Sequence, residues 1–246
     1  MAADTVADKA RFLSAGDGGV VVEFGDTVDR TISARVMKTA EMIRDAALDG
    51  VTELVPTFRS LFVHYDPTIT SASTITDIIA AMPLDDVEAS AMRHVWRIPV
   101  LYGGEGGPDL ADVAATAGMS EADAVALHAG SVYNVYMLGF LPGFGYLGDT
   151  PEPLRLPRLE TPRVRVPAGS VALTGQMTAV YPLESPGGWR LLGKTPVRFF
   201  DIAAERPALL APGDGVRFVP VDDAAYDDIA ALCREGRYEV EREDAA

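Results

Sequence analysis

The chain has 246 residues and a net charge of −15, with 48% hydrophobic and 23% charged residues. That length can bury one large core or two small ones, and the composition excludes wholesale disorder. The negative balance excludes a general nucleic-acid or anionic-membrane binder, because attraction to phosphate supplies most of such affinity.

Residues 10–92 read as two passes of strands then helix. Arg11–Ala15 and Val20–Phe24 pair around the turn 16–19, whose residues are Gly, Asp, Gly and Gly. Ile32, Val36, Ala40, Ile43 and Ala47 recur at helical spacing, with Gly50 as the stop. Val51–Phe58 and Ser60–Tyr65 form a second strand pair, and Ser73–Met82 a second helix ended by Pro83. Two ββα units predict a small α/β sandwich with helices on one face of an antiparallel sheet. His64, inside an apolar strand, reads as a core or sheet-face residue.

Alternation from Arg93 to Val100 restarts the chain as a strand, which puts a domain boundary near residue 92. Asp109–Ala117 and Ser120–Ala129 follow as helices, and Ser120 with Asp123 approximates a capping box. Val132–Leu138 is a strand that feeds a Gly- and Pro-rich region. Nine of the 17 prolines fall between Pro142 and Pro196, so this region is short strands joined by rigid turns. Strands are predicted at 163–166, 170–174, 178–181, 190–194, 198–200 and 216–219, which indicates a barrel or sandwich over residues 93–221. Residues 222–246 read as an acidic helix (222–233) and a tail that frays from 239 onward.

The charge is unevenly spread. Residues 1–92 carry 7 basic and 15 acidic side chains, residues 93–220 carry 11 and 12, and residues 221–246 carry 3 and 9. Between Arg155 and Arg198, seven basic residues meet only Glu160 and Glu184. A cationic stretch in an anionic chain suits a small anionic substrate or an acidic partner; arginines scattered over separate faces are the plain alternative.

Three segments could carry chemistry. Residues 137–148 place Phe140, Phe144 and Tyr146 among glycines and Pro142, a rigid aromatic loop suited to a planar ligand or to packing a barrel corner. In residues 161–170, Arg163 and Arg165 alternate with valines and share one strand face, where they fit a carboxylate or form surface ion pairs. Residues 175–196 gather Gln176, Thr178, Tyr181, Trp189 and Lys194 between tight turns. His128, just before the strand into the aromatic loop, is the best-placed general acid or base, unless it only stabilises a helix end.

Cys233 is the one cysteine, and His64, His94 and His128 are the only histidines. Neither an internal disulfide nor a Cys- or His-built metal site is therefore expected. No nucleophile elbow, phosphate loop or metal-ligand spacing occurs. No apolar run approaches the roughly 18 residues of a membrane span, and residues 1–11 lack a signal-peptide pattern. A cytoplasmic protein with no membrane or nucleic-acid partner is expected.

Taken together, residues 139–147 (GFLPGFGYL), 166–170 (VPAGS) and 181–189 (YPLESPGGW) resemble the carboxyltransferase subdomain C/D family. That family includes the B subunit of bacterial 5-oxoprolinase, allophanate hydrolase subunit 1 and the Kip-type histidine kinase inhibitor. The similarity runs from about Phe12 to Val221. It implies an α+β chain: a small N-terminal α/β sandwich domain followed by a cyclophilin-like β-barrel domain. It also implies a partner, the C-type subunit (allophanate hydrolase subunit 2, Kip-A-like). In the 5-oxoprolinase system a third, A-type subunit joins them.

The resemblance makes ATP a co-substrate of the assembled complex, with no cofactor bound by this chain. The candidate catalytic residues are His128, Thr178 and Tyr181. The candidate substrate-binding residues are Phe140, Pro142, Gly143, Phe144, Arg163, Arg165, Ser170, Gln176, Trp189 and Lys194. Met177 and Ala179 replace the usual Gln and Gly around Thr178, and Lys194 replaces the usual Arg. The implied function is that of a subunit in an amide hydrolase that opens 5-oxoproline to glutamate with ATP. The alternatives are a subunit of a ureido-carboxylate hydrolase, as in allophanate hydrolase, or a non-catalytic inhibitor of a sensor histidine kinase.

Overall fold

In the computed structural model, which describes residues 10–84, 87 and 92–244, the first part of the chain builds two ββα passes. Strands β1 (Arg11–Ser14) and β2 (Gly19–Glu23) precede helix α1 (Arg30–Ala46). Strands β3 (Val51–Pro56) and β4 (Ser60–Tyr65) precede α2 (Ala72–Ala80). The antiparallel sheet has the order β1-β2-β4-β3.

Alternation sends Val20, Val22, Leu61 and Val63 into one core with Val36, Ala40 and Ile43 of α1 and Ile75 and Ile79 of α2. Asp29 caps α1 by accepting from the amides of Thr31 and Ile32. The helix stops at Ala47 in the left-handed region, ahead of Gly50, which instead shapes the turn into β3 at φ +83. His64 lies away from this core, edge-on to the Phe62 ring at 4.1 Å, as a sheet-face residue.

The chain divides into two units, Met1–Ser90 and Ala91–Ala246. The second begins with β5 (His94–Tyr102), α3 (Leu110–Thr116) and α4 (Glu121–Ala129). Its remaining strands are β6 (Tyr133–Leu138), β7 (Gly145–Gly148), β8 (Arg163–Val166), β9 (Ser170–Thr174), β10 (Met177–Val180), β11 (Ser185–Gly187), β12 (Arg190–Lys194) and β13 (Gly215–Pro220). Helix α5 (Asp223–Arg234) and β14 (Arg242–Asp244) end the described chain.

Seven strands close in the order β12-β9-β10-β7-β6-β13-β5, and β5 returns to β12 through Leu101 and Tyr102. This is the α+β arrangement with a cyclophilin-like barrel that the family resemblance implies. Ile98, Val100, Tyr133, Val135, Leu147, Val171, Val216 and Phe218 fill one buried cluster. A second, built from Leu110, Val113 and Ala124 of α3 and α4, takes in Leu154, Leu173 and Leu192. The pair β8 and β11 forms a separate two-stranded ribbon.

Three expectations change. Residues 198–200 form no strand: Asp201 folds the chain back by accepting from Ala203, and a single bridge from Phe200 to Ala208 remains. The last four residues of the aromatic loop, 145–148, are strand β7, paired with β6. The tail does not fray throughout, because β14 pairs antiparallel with β5 and Arg97 bonds both Glu241 (3.1 Å) and Glu243 (2.7 Å).

Candidate functional site

The loop between β6 and β7 is built around two left-handed residues. Gly143 has φ +77, and a Cβ there would lie 2.7 Å from the Phe199 carbonyl oxygen, so both its conformation and its packing require glycine. Phe140 adopts φ +71 while remaining 63% exposed. A non-glycine residue held there costs on the order of 1–3 kcal/mol, and such strain collects at functional loops. Pro142 is exposed on the same loop.

Phe144 is 1% exposed and is the hub of the ring cluster. Its ring stands edge-on to Phe140 (5.6 Å), Tyr146 (5.0 Å), Tyr181 (5.3 Å) and Trp189 (5.7 Å). Tyr146 and Trp189 lie 6.0 Å apart. Three separate segments therefore supply one aromatic body, capped by exposed Phe140. Tyr181 follows β10; its phenol sits against Gly187, where any side chain would collide with it. Burial pushes the Tyr146 and Tyr181 phenols up, opposed by Arg158 at both and by Arg163 at Tyr181.

The alternation Arg163, Val164, Arg165 does not yield a paired fork. Arg163 donates through Nη2 to Asp109 Oδ1 at 2.7 Å, while Asp109 Oδ2 accepts the Leu191 amide at 2.7 Å. Arg163 Nη1 is buried without a hydrogen-bond partner. Arg165 lies out in solvent, 76% exposed, and pairs with Glu184 at 2.6 Å. Arg163 thus belongs beside the rings, and Arg165 to the surface.

His128 and Thr178 are brought to each other rather than to the rings. His128 is fully buried and stacks on Phe218 at 4.7 Å. The Thr178 hydroxyl donates to Ala172 O (2.9 Å), so it accepts from His128 Nε2 (3.0 Å), and Nδ1 accepts from Tyr102 Oη (2.7 Å). Burial holds the imidazole pKa down at about 3. With both nitrogens engaged and no solvent contact, this histidine ties α4 to the barrel wall instead of exchanging protons with a ligand.

Gln176 and Lys194 also lie apart from the rings. Gln176 is exposed in the turn joining β9 to β10, and Lys194 places its ammonium 4.7 Å from the Tyr226 ring centroid. Ser170 is buried at the start of β9, and its carbonyl accepts the Tyr181 amide at 2.9 Å. Met177 and Ala179 are buried in β10. Asp109 and Arg158 are residues of the site to which no motif points. Asp109 gives no short-range signal, whereas Arg158 is visible in the sequence as one cation of the Arg155–Arg198 stretch. Among the described residues, no three His, Cys, Asp or Glu side chains converge as a metal would require, and no helix is long and apolar enough to cross a membrane.

Fold and site together define a cyclophilin-like barrel preceded by a ββα-repeat unit, with an aromatic cluster and guanidinium groups at the β6–β7 loop. The chain belongs to the family described as "Carboxyltransferase domain, subdomain C and D", which it matches over residues 10–210. It is 43% identical over 215 residues to the B subunit of 5-oxoprolinase from Escherichia coli O157:H7, covering 86% of this chain and 96% of that one. It is 36% identical over 225 residues to the B subunit of 5-oxoprolinase from Bacillus subtilis (strain 168), covering 86% and 92%. The crystal structure of TTHA0988 superposes with a TM-score of 0.74 at 40% identity, over 83% of this chain. The present chain spans only 40% of TTHA0988. A subunit role in an enzyme complex follows from the first two relatives.

Proposed function

We propose that this chain is the B-type subunit of an ATP-dependent 5-oxoprolinase, which opens the lactam of 5-oxoproline to give glutamate. The observation that carries the reading is the 43% identity across nearly the whole of a relative named as that subunit. The ring cluster supports it, since a small flat lactam acid suits an aromatic surface beside guanidinium groups. The histidine singled out in the sequence is sealed in the core, which supports a reading in which hydrolytic groups come from the partner subunits. Its partners are the C-type homologue (allophanate hydrolase subunit 2, Kip-A-like) and a third, A-type subunit, with ATP as the co-substrate of the assembly.

The test is co-expression of this chain with its C-type and A-type partner homologues, co-purification, and glutamate release from 5-oxoproline with and without ATP. ATP-dependent glutamate release by the intact complex is the expected result. An intact complex without turnover refutes the reading.

A further inference from the structure

Six of the seven basic side chains between Arg155 and Arg198 are already engaged. Arg155 bonds the Thr150 carbonyl, Arg163 bonds Asp109, and Arg165 bonds Glu184. Arg190 bonds Asp112 and the Pro157 carbonyl, Arg198 bonds Asp201, and Lys194 lies over Tyr226. Lys194 has that ring as its contact, and among the seven only Arg158 has no hydrogen-bond, carboxylate or ring-face partner among the described residues.

Its backbone is nevertheless tied on both sides. The Pro157 carbonyl accepts Arg190 Nε at 3.1 Å, and the Leu159 amide donates to Gly188 O at 2.8 Å. Those bonds set residue 158 beside the segment 188–190 that carries Trp189. The charge of Arg158 registers at both Tyr146 and Tyr181. An exposed guanidinium without a carboxylate partner, near the half-buried Tyr146 ring, stands out in a chain of net charge −15. Because its backbone is held, closing it on an anion costs less ordering than on a free loop.

We propose that Arg158, rather than the alternating pair Arg163 and Arg165, captures the carboxylate of a small planar acid whose flat body lies against the Tyr146 ring. Arg163, neutralised by Asp109, shapes the wall behind it. Naming that acid as 5-oxoproline rests on the proposed function; the subsite rests on the unpaired guanidinium and its tethered backbone.

The experiment uses the complex assembled with the C-type and A-type homologues, carrying Arg158→Gln, Arg158→Lys or, as a control on an exposed cation already paired with Asp201, Arg198→Gln. Arg158→Gln is expected to raise KM for 5-oxoproline about 10–100-fold with kcat nearly unchanged, as for loss of one charged hydrogen-bonding group. Arg158→Lys keeps the charge without the planar fork and falls in between, and Arg198→Gln matches the parent. An unchanged KM in Arg158→Gln overturns the proposal while leaving the 5-oxoprolinase reading in place. In parallel, the same complexes are titrated calorimetrically with L-5-oxoproline and with 2-pyrrolidinone, the same ring without the carboxylate. Acid-selective binding lost in Arg158→Gln supports the subsite even where no turnover occurs. Binding of both compounds alike, equal binding by the variant, or no binding of the acid overturns it.

Discussion

Acidification tests the buried histidine directly. In the unfolded chain an imidazole titrates near 6.5, whereas in the fold the pKa of His128 is lowered to about 3. The folded value lies below the unfolded one, so the native state binds fewer protons. Its stabilising contribution is complete above about pH 6.5 and is lost as pH falls toward 3. Between pH 7.5 and pH 5 the unfolded state gains most of one proton and the folded state almost none, a loss of about 2 kcal/mol from this one group. Most carboxylates titrate below that window. The assay is urea unfolding followed by tryptophan emission at several pH values. Trp96 and Trp189, the two tryptophans, both lie in the unit 91–246, so the signal reports that unit alone. His128→Gln is expected to be less stable at pH 7.5 but to lose about 2 kcal/mol less on acidification. Parallel pH profiles for parent and variant would refute the burial argument.

Three further outcomes follow from packing and hydrogen bonding. Thr178→Val removes the acceptor of His128 Nε2 and leaves a buried N–H unpaired, so it costs about 1–3 kcal/mol in urea unfolding, whereas Thr178→Ser costs less. Gly143→Ala meets both the positive φ and the Phe199 carbonyl; a loss of about 1–3 kcal/mol, read as a lower Tm, is expected. Asp109→Ala strips Arg163 and the Leu191 amide of their shared acceptor and costs about 1–3 kcal/mol in the same unfolding assay, reduced by partial exposure of the pair.

The aromatic cluster is legible in the sequence because its features are local: Phe140, Phe144 and Tyr146 share one short segment, and glycines mark where the backbone must turn. Tyr181 and Trp189 join it through a second turn-rich segment. The arginines are legible as a cationic stretch but not as individuals. Alternation along β8 gives the face of a residue, not the carboxylate that reaches it from 54 positions away, as Asp109 does to Arg163. His128 looks available because it ends a helix in the sequence; the packing of Tyr102, Phe218 and Thr178 around it is entirely long-range. The acidic tail reads as fraying from residue 239, and Arg97, far upstream, bonds it beside β5. Local periodicity thus carries the elements, while charge neutralisation between distant segments decides which polar groups remain free.

The last barrel strand to be made, β13, joins by a parallel pairing of its residues 215–220 with residues 95–100 of β5. During synthesis strand β5 leaves the ribosome long before its mate exists, while the four strands of the sheet ahead of it pair only with one another. The nascent second unit must therefore carry its apolar inner faces unsealed until almost the whole polypeptide is out. Chaperone demand and aggregation during expression should concentrate on that half, and truncation ahead of residue 215 should give insoluble product even where residues 10–84 fold normally.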